Sequence, residues 1–387
     1  MDVKYLKTLL SQPTAPFKER YVMACVEEAL NSANVPYFYD DHGNMVIGVG
    51  DKGSYKKLLS QKSRVPLRVM MAHTDHPGFH GSRWVDDSTL AIKWLGGSPK
   101  KYLHNAQVWL ADERQVYGQG RLNQVELASH GFSIDTAHVK IPKSLVGTVR
   151  RLSAKRLFGG FSFSSDCNRK GSLLYTRAAD DLVGVYCIVE TALRLFEGSK
   201  RKRKTSFVGL LTRGEEVGFV GAIAHFKSFA YQAMKRPLVC VSLEASRTLP
   251  GAEIGKGPVV RLGDRRTVFS ANPLQALTNL AEQHIKDEYQ RRIMDGGSCE
   301  ASATTMLGLP TVGISIPLGN YHNEGYEGGP DCRGDRGPAP EFVHIKDIER
   351  MLSLCVAIAE DDQVWDHPWD AHWQRLEKNF AKMKKYI

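Results

Sequence analysis

Glu215 and Glu216 stand directly after the apolar run SFVGLLTRG, and adjacent carboxylates repel each other unless something positive lies beside them. The pair is one of five similar placements. His73-Thr74-Asp75-His76 follows VPLRVMMA, Asp180-Asp181 follows SLLYTRAA, Glu244 follows PLVCVSL, and His322 closes TVGISIPLGNY. In open α/β sheets ligands bind beyond the carboxyl ends of the strands. Two histidines and several carboxylates collected there form the donor set of a two-metal hydrolytic site. Each has an ordinary use when taken singly. His73 can sit in a core, Asp180 or Asp181 can cap the following helix, Glu215-Glu216 can be a surface pair, and Glu244 and His322 can be loop residues. Those five uses would all have to hold at once, at one end of one sheet.

The elements that must position these residues are legible in outline. VPLRVMMAH is nearly continuous apolar, as a strand covered on both faces requires. SFVGLLT, PLVCVSLEA and TVGISIPLG read the same way, and YFYDDHGNMVIGVG reads as two short strands. A helix is expected over 14–31, with Thr14 as its cap and Pro16 in its first turn. Others are expected over 181–197, with Gly198 just past the end, from Asn272-Pro273 onward, and through Ile345, Ile348, Met351, Leu352 and Cys355. Strands alternating with helices predict an α/β domain with a mainly parallel sheet. Between about 82 and 165 the helical period disappears. TLAIKWLGG, AQVWLADERQVYGQG and SLVGTVRRL, divided by Gly, Pro, Asn and Asp, predict a small inserted β domain. The expected division is a body of residues 1–81 and 166–387 around an insert of 82–165.

Composition narrows the function. At 387 residues and 42% hydrophobic, the chain can bury a large core. It has no apolar run long enough to span a membrane and no secretory pattern at its start. Seven scattered cysteines form no CxxC pair, which argues against a disulfide framework and against a structural zinc knuckle. A cytoplasmic protein is expected. The net charge of +10 permits acidic partners, but the one dense basic run, Lys200–Lys204, reads as a solvated loop, so no nucleic acid and no membrane partner is expected. The aromatic, then basic tail QVWDHPWDAHWQRLEKNFAKMKKYI can dock on the body or on another subunit.

The motifs resemble those of the co-catalytic metallo-aminopeptidases, and within that group they are most similar to the tetrahedral, or glutamyl, aminopeptidases. The carriers are AHTDHPG (Ala72–Gly78), DDLVG (Asp180–Gly184) and GEEVGFVGA (Gly214–Ala222). The long gap between His73 and Asp180 has room for the small β domain that this family carries there. The short gap between Glu244 and His322 has no room for the extra domain of the deacylase-like branch. Aspartyl aminopeptidases are the nearest rival. There are departures: Leu182 replaces the usual Arg after the paired acids, Glu244 replaces the usual Asp, His76 is unusual, and GGSCEAS (Gly296–Ser302) only loosely matches a segment near the substrate cleft.

The resemblance implies a zinc-exopeptidase-like three-layer α/β/α fold and a homo-oligomeric aminopeptidase acting on peptides. It implies two divalent ions per chain, zinc first, with cobalt or manganese also suiting an O/N donor set. Asp180 would bridge the ions, His73 and Glu244 would complete one, and Glu216 and His322 the other. Asp75 would accept the His73 ring N–H, and Glu215 would serve as general base. Arg213 and Arg247 flank these residues and would favour acidic substrate side chains. Alternatives are a related dinuclear amide hydrolase (a deacylase or dipeptidase) and a catalytically silent scaffold.

Overall fold

Successive residues of a strand point to opposite faces of its sheet, and in the computed structural model this alternation divides the apolar side chains between two helical layers. Along the strand Leu67–His73, Met70 and Ala72 join one apolar cluster while Leu67, Val69 and Met71 join another. Val239, Val241 and Leu243 in Leu238–Arg247 face the first layer, and Leu238 and Cys240 the second. The first layer comprises the helices Val3–Leu10, Arg20–Ser32, Leu182–Phe196, Ala271–His284 and Ile345–Glu360. Lys52–Ser60 and Val220–Ser228 supply the second. The expected three-layer α/β/α arrangement is present. The structure describes residues 1–197, 206–229, 231 and 234–387; the basic run Lys200–Lys204 and Gly198 lie outside the described residues.

The parallel character sits at the centre of the sheet. Phe207–Thr212, Leu67–His73, Leu238–Arg247 and Thr311–Gly319 lie side by side in that order, all parallel. Their carboxyl ends therefore meet along one edge. Antiparallel strands flank them: Met45–Ile47 on one side, and Glu341–His344 followed by Leu173–Thr176 on the other.

Six strands between Gly78 and Phe161 close into a separate antiparallel barrel around Phe79, Trp94, Leu110, Val139 and Phe161. Its first strand, Gly78–Asp86, starts just beyond the His73–Asp75 turn. Closure removes every exposed strand edge.

Two expectations are corrected. The helix expected over 14–31 begins only at Arg20, and a separate helix, Val3–Leu10, precedes it. Residues 14–19 are bound elsewhere: the Thr14 hydroxyl donates to the Thr74 carbonyl (2.7 Å), and Glu19 pairs with Arg213 (2.8 Å). SLVGTVRRL is not a strand. Its first part lies in a short helix, Lys143–Val149, with Pro142 at its cap position, where the absent N–H is not missed.

Candidate active site

The paired acids at 180–181 divide their work. The Asp181 side chain accepts the Gly184 N–H and caps the helix Leu182–Phe196, which leaves Asp180 facing the strand ends. His322 sits in a tight turn, Tyr321–Asn323, with φ of 55°, in the left-handed region that non-glycine residues seldom enter. The turn is pinned from outside: the Asn320 amide donates to the carbonyls of Gly328 (2.7 Å) and Pro340 (2.9 Å).

These elements bring all five expected ligands together. His73 Nε2 lies 3.3 Å from one Asp180 oxygen, and His322 Nε2 lies 3.8 Å from the other. His322 Nε2 is also 3.3 Å from Glu216 Oε2. Three donor groups each have their atoms within 4.8 Å of one another: His73–Asp180–Glu244, His73–Glu215–Glu216 and Asp180–Glu216–His322. Asp180 is common to the first and third, the position a bridging carboxylate would hold. Asp180 Oδ1 and Glu216 Oε1 are buried without a hydrogen-bond partner among the described residues. Buried anionic oxygens left unpaired are costly. Their inward orientation and the mixed O/N donors fit divalent cations.

The electrostatics say the same. Burial, reinforced by Glu244 and Glu216, pushes the Glu215 carboxyl well above its ordinary range, although His73 opposes this. Burial raises Glu244 to about 7 against the pull of His73 and Arg261. Burial also disfavours a charged Glu216, but His322 and His73 overcome it and draw the carboxyl down to about 2. His322 is raised to about 9, against its burial, chiefly by Glu216 and Asp180. Crowded acids, relieved chiefly by two imidazoles and Arg261, form a strongly anionic pocket.

Asp75 does not act as expected toward His73. The His73 Nδ1 contact is with the Asp75 main-chain carbonyl at 3.0 Å, and the carboxylate lies at 3.7 Å. The carboxylate is engaged elsewhere, accepting the amide N–H groups of Glu215 (3.0 Å) and Glu216 (3.2 Å). Asp75 thus orients His73 through its backbone and the glutamate pair through its side chain. Arg213 is also displaced from its expected place. It is spent on Glu19 and the Phe17 carbonyl (3.1 Å), away from the cavity. His76 is not among the grouped donors; it contacts the Asp180 carbonyl (2.8 Å) and Asn323 (3.3 Å) from behind.

Sequence reasoning missed Glu341. This fully buried carboxylate accepts the amides of Ala179 (2.7 Å) and Asp180 (3.1 Å) on one oxygen and that of His322 (2.8 Å) on the other. It fastens two ligand segments together. The only signal was an acid at the head of the short apolar run EFV. A cavity of 510 Å³ opens over the ligands. Arg247, Arg261 and Tyr326 line its wall, as do the GGSC residues at 296–299 and, from the barrel, Lys100 and Phe132.

This geometry can be set beside known proteins. The M42 glutamyl aminopeptidase family model matches residues 160–326. The matched segment contains Asp180, Glu215, Glu216, Glu244 and His322, but not His73 or Asp75. It bears out the resemblance read from the motifs and supports a metal-dependent aminopeptidase; a deacylase, a dipeptidase or a silent scaffold is not favoured. Solved structures agree in fold. An aminopeptidase from the archaeon Desulfurococcus kamchatkensis is 21% identical, with a TM-score of 0.71 over 94% of this chain and 96% of its own. The TET1 peptidase of Pyrococcus horikoshii, described as assembling into a tetrahedron or a large octahedral shell, is 18% identical, with a TM-score of 0.69 over 92% and 98%. An M18-family aminopeptidase from Thermotoga maritima is 13% identical, with a TM-score of 0.64 over 92% and 95%. No curated protein matches the chain.

Proposed function

We propose that this chain removes single N-terminal residues from peptides at a site built for two divalent cations. The observation that carries this reading is Asp180 standing between two donor groups, one oxygen toward each histidine and Oδ1 buried without a hydrogen bond among the described residues. His73 and Glu244 would hold one ion and Glu216 and His322 the other, with Asp180 shared. When bound, such ions lower the pKa of water and polarise the scissile carbonyl. Glu215 takes the proton from the attacking water and delivers it to the leaving amine. Its environment suits both halves of the task, because burial favours the protonated state that the first half creates. Asp75 keeps the Glu215 carboxylate in place by holding its backbone amide.

The cavity wall also favours an acidic first residue. Arg247 stacks on Tyr326, 3.6 Å from the ring centre, and makes no ion pair among the described residues. Buried Arg261 keeps its Nε unpaired. Both are available to a substrate carboxylate. We further propose a cytoplasmic homo-oligomer in which residues 1–81 and 166–387 form the catalytic body and 82–165 an insert that walls the cavity.

The test is digestion of a mixed peptide pool by chelator-stripped protein resupplied with zinc, cobalt or manganese, read by mass spectrometry. Stepwise N-terminal trimming, fastest from Glu and Asp and lost in Glu215→Gln, is expected. Endoproteolytic fragments, or trimming indifferent to chelator, would sink the reading; faster loss of Leu or Lys would remove only the acidic preference.

A further inference from the structure

The last helix, Asp370–Met383, has no buried residue. A helix of this length is marginal in water without packing. Among the described residues only its beginning is attached: the Trp369 indole N–H donates to Asn272 (2.8 Å), Asn279 donates to the Pro368 carbonyl (2.8 Å), and Gln275 meets His372 (3.1 Å). Beyond this anchor, Trp373, Leu376, Phe380 and Met383 are each 54–60% exposed. Together with Trp369 they follow one another at alternating intervals of four and three, the spacing of the a and d positions of a heptad. Such a strict stripe is narrower than the face by which a helix beds into a core, and it is the form of a coiled-coil seam.

We propose that this helix pairs antiparallel with the same helix of a second copy of the chain. In that register Trp373 of each copy packs on Met383 of the other, and Leu376 on Phe380, so the four large side chains beyond the anchor are covered. Sulfur–aromatic contact adds to the first layer. The positions flanking the stripe fit as well. Asp370 of one copy lies beside Lys384 of the other, twice per pair, against a single Glu377–Glu377 encounter at the centre. A parallel pair would instead stack Trp373 on Trp373 and Phe380 on Phe380, and would bring neither Asp370 nor Lys384 to an opposite charge. At about 100 Å² for each of these four side chains per copy, the pair covers about 800 Å², the size of a weak, transient contact. It therefore joins copies reversibly, and more firmly where several such helices act together.

Light scattering of the full chain across a concentration series tests this, with Trp373→Glu/Phe380→Glu as the variant. The substituted side chains are exposed, so the body stays folded. The expected result is a halved mass, or at least a tenfold weaker association. Lys384→Glu alone weakens association, and Asp370→Lys added to Lys384→Glu restores it. Equal masses for wild type and double variant overturn the proposal. An unchanged mass with loss of binding to vesicles of anionic lipid overturns it too, assigning the face to a membrane surface. Failure of the charge exchange to restore association overturns the antiparallel register.

Discussion

Glu341 touches three backbone amides and no proposed donor atom, so its contribution is to placement. Glu341→Ala should lower metal affinity by 10–100-fold, the usual effect of losing a group that orients ligands, with Glu341→Gln recovering part of it; calorimetric titration of zinc into stripped protein reads both. Glu300 offers a pH prediction. Burial raises its carboxyl to about 8, so the folded chain holds a proton that the unfolded chain releases near 4.5. Its share of stability is full below 4.5 and lost as pH rises through about 8. In stripped protein, Glu300→Gln should flatten that decline between pH 5 and 8, as followed by urea denaturation; an unchanged slope would refute the assignment. All five proposed ligands were legible in the sequence, because each is, or directly follows, the first strong donor after an apolar strand. Glu341 was not, because a four-residue strand inserted between two others gives too short a pattern to mark what its first residue reaches.

At the scale of elements, the barrel and the body meet at Gly97. A Cβ on this residue would overlap the His322 imidazole. Gly97→Ala should therefore cut peptide hydrolysis at least tenfold and weaken metal binding, while circular dichroism and melting of the metal-stripped chain stay near wild type. Full activity in that variant would mean that His322 can move without loss. The Asp181 cap makes a second prediction: Asp181→Ala should cost about 1 kcal/mol in denaturant unfolding, and Asp181→Asn much less, since Asn caps nearly as well. The central strands and most helices could be read from apolar periodicity. The start of the helix at Arg20 could not, because Thr14 and Glu19 are claimed by residues far along the chain. The order in which the barrel strands pair was equally hidden, since pairing follows closure in space rather than sequence order.

For the whole molecule, the anionic cluster implies that cations stabilise the fold. Each ion present at a hundredfold its Kd should add about 2.7 kcal/mol to unfolding free energy, so the melting temperature should rise on restoring zinc to stripped protein and fall again with chelator. No shift would show that the donors do not bind. The position of Glu341 has a consequence for synthesis. Its strand is added late in the sequence yet lies inside the sheet, between Thr311–Gly319 and Leu173–Thr176. A nascent chain that has emerged only as far as residue 340 already contains His73, Asp180, Glu215, Glu216, Glu244 and His322, but lacks the carboxylate that receives the amides of both Asp180 and His322. Peptide cleavage then reaches its full rate only once the Glu341 strand has emerged and joined the sheet, later than every proposed ligand.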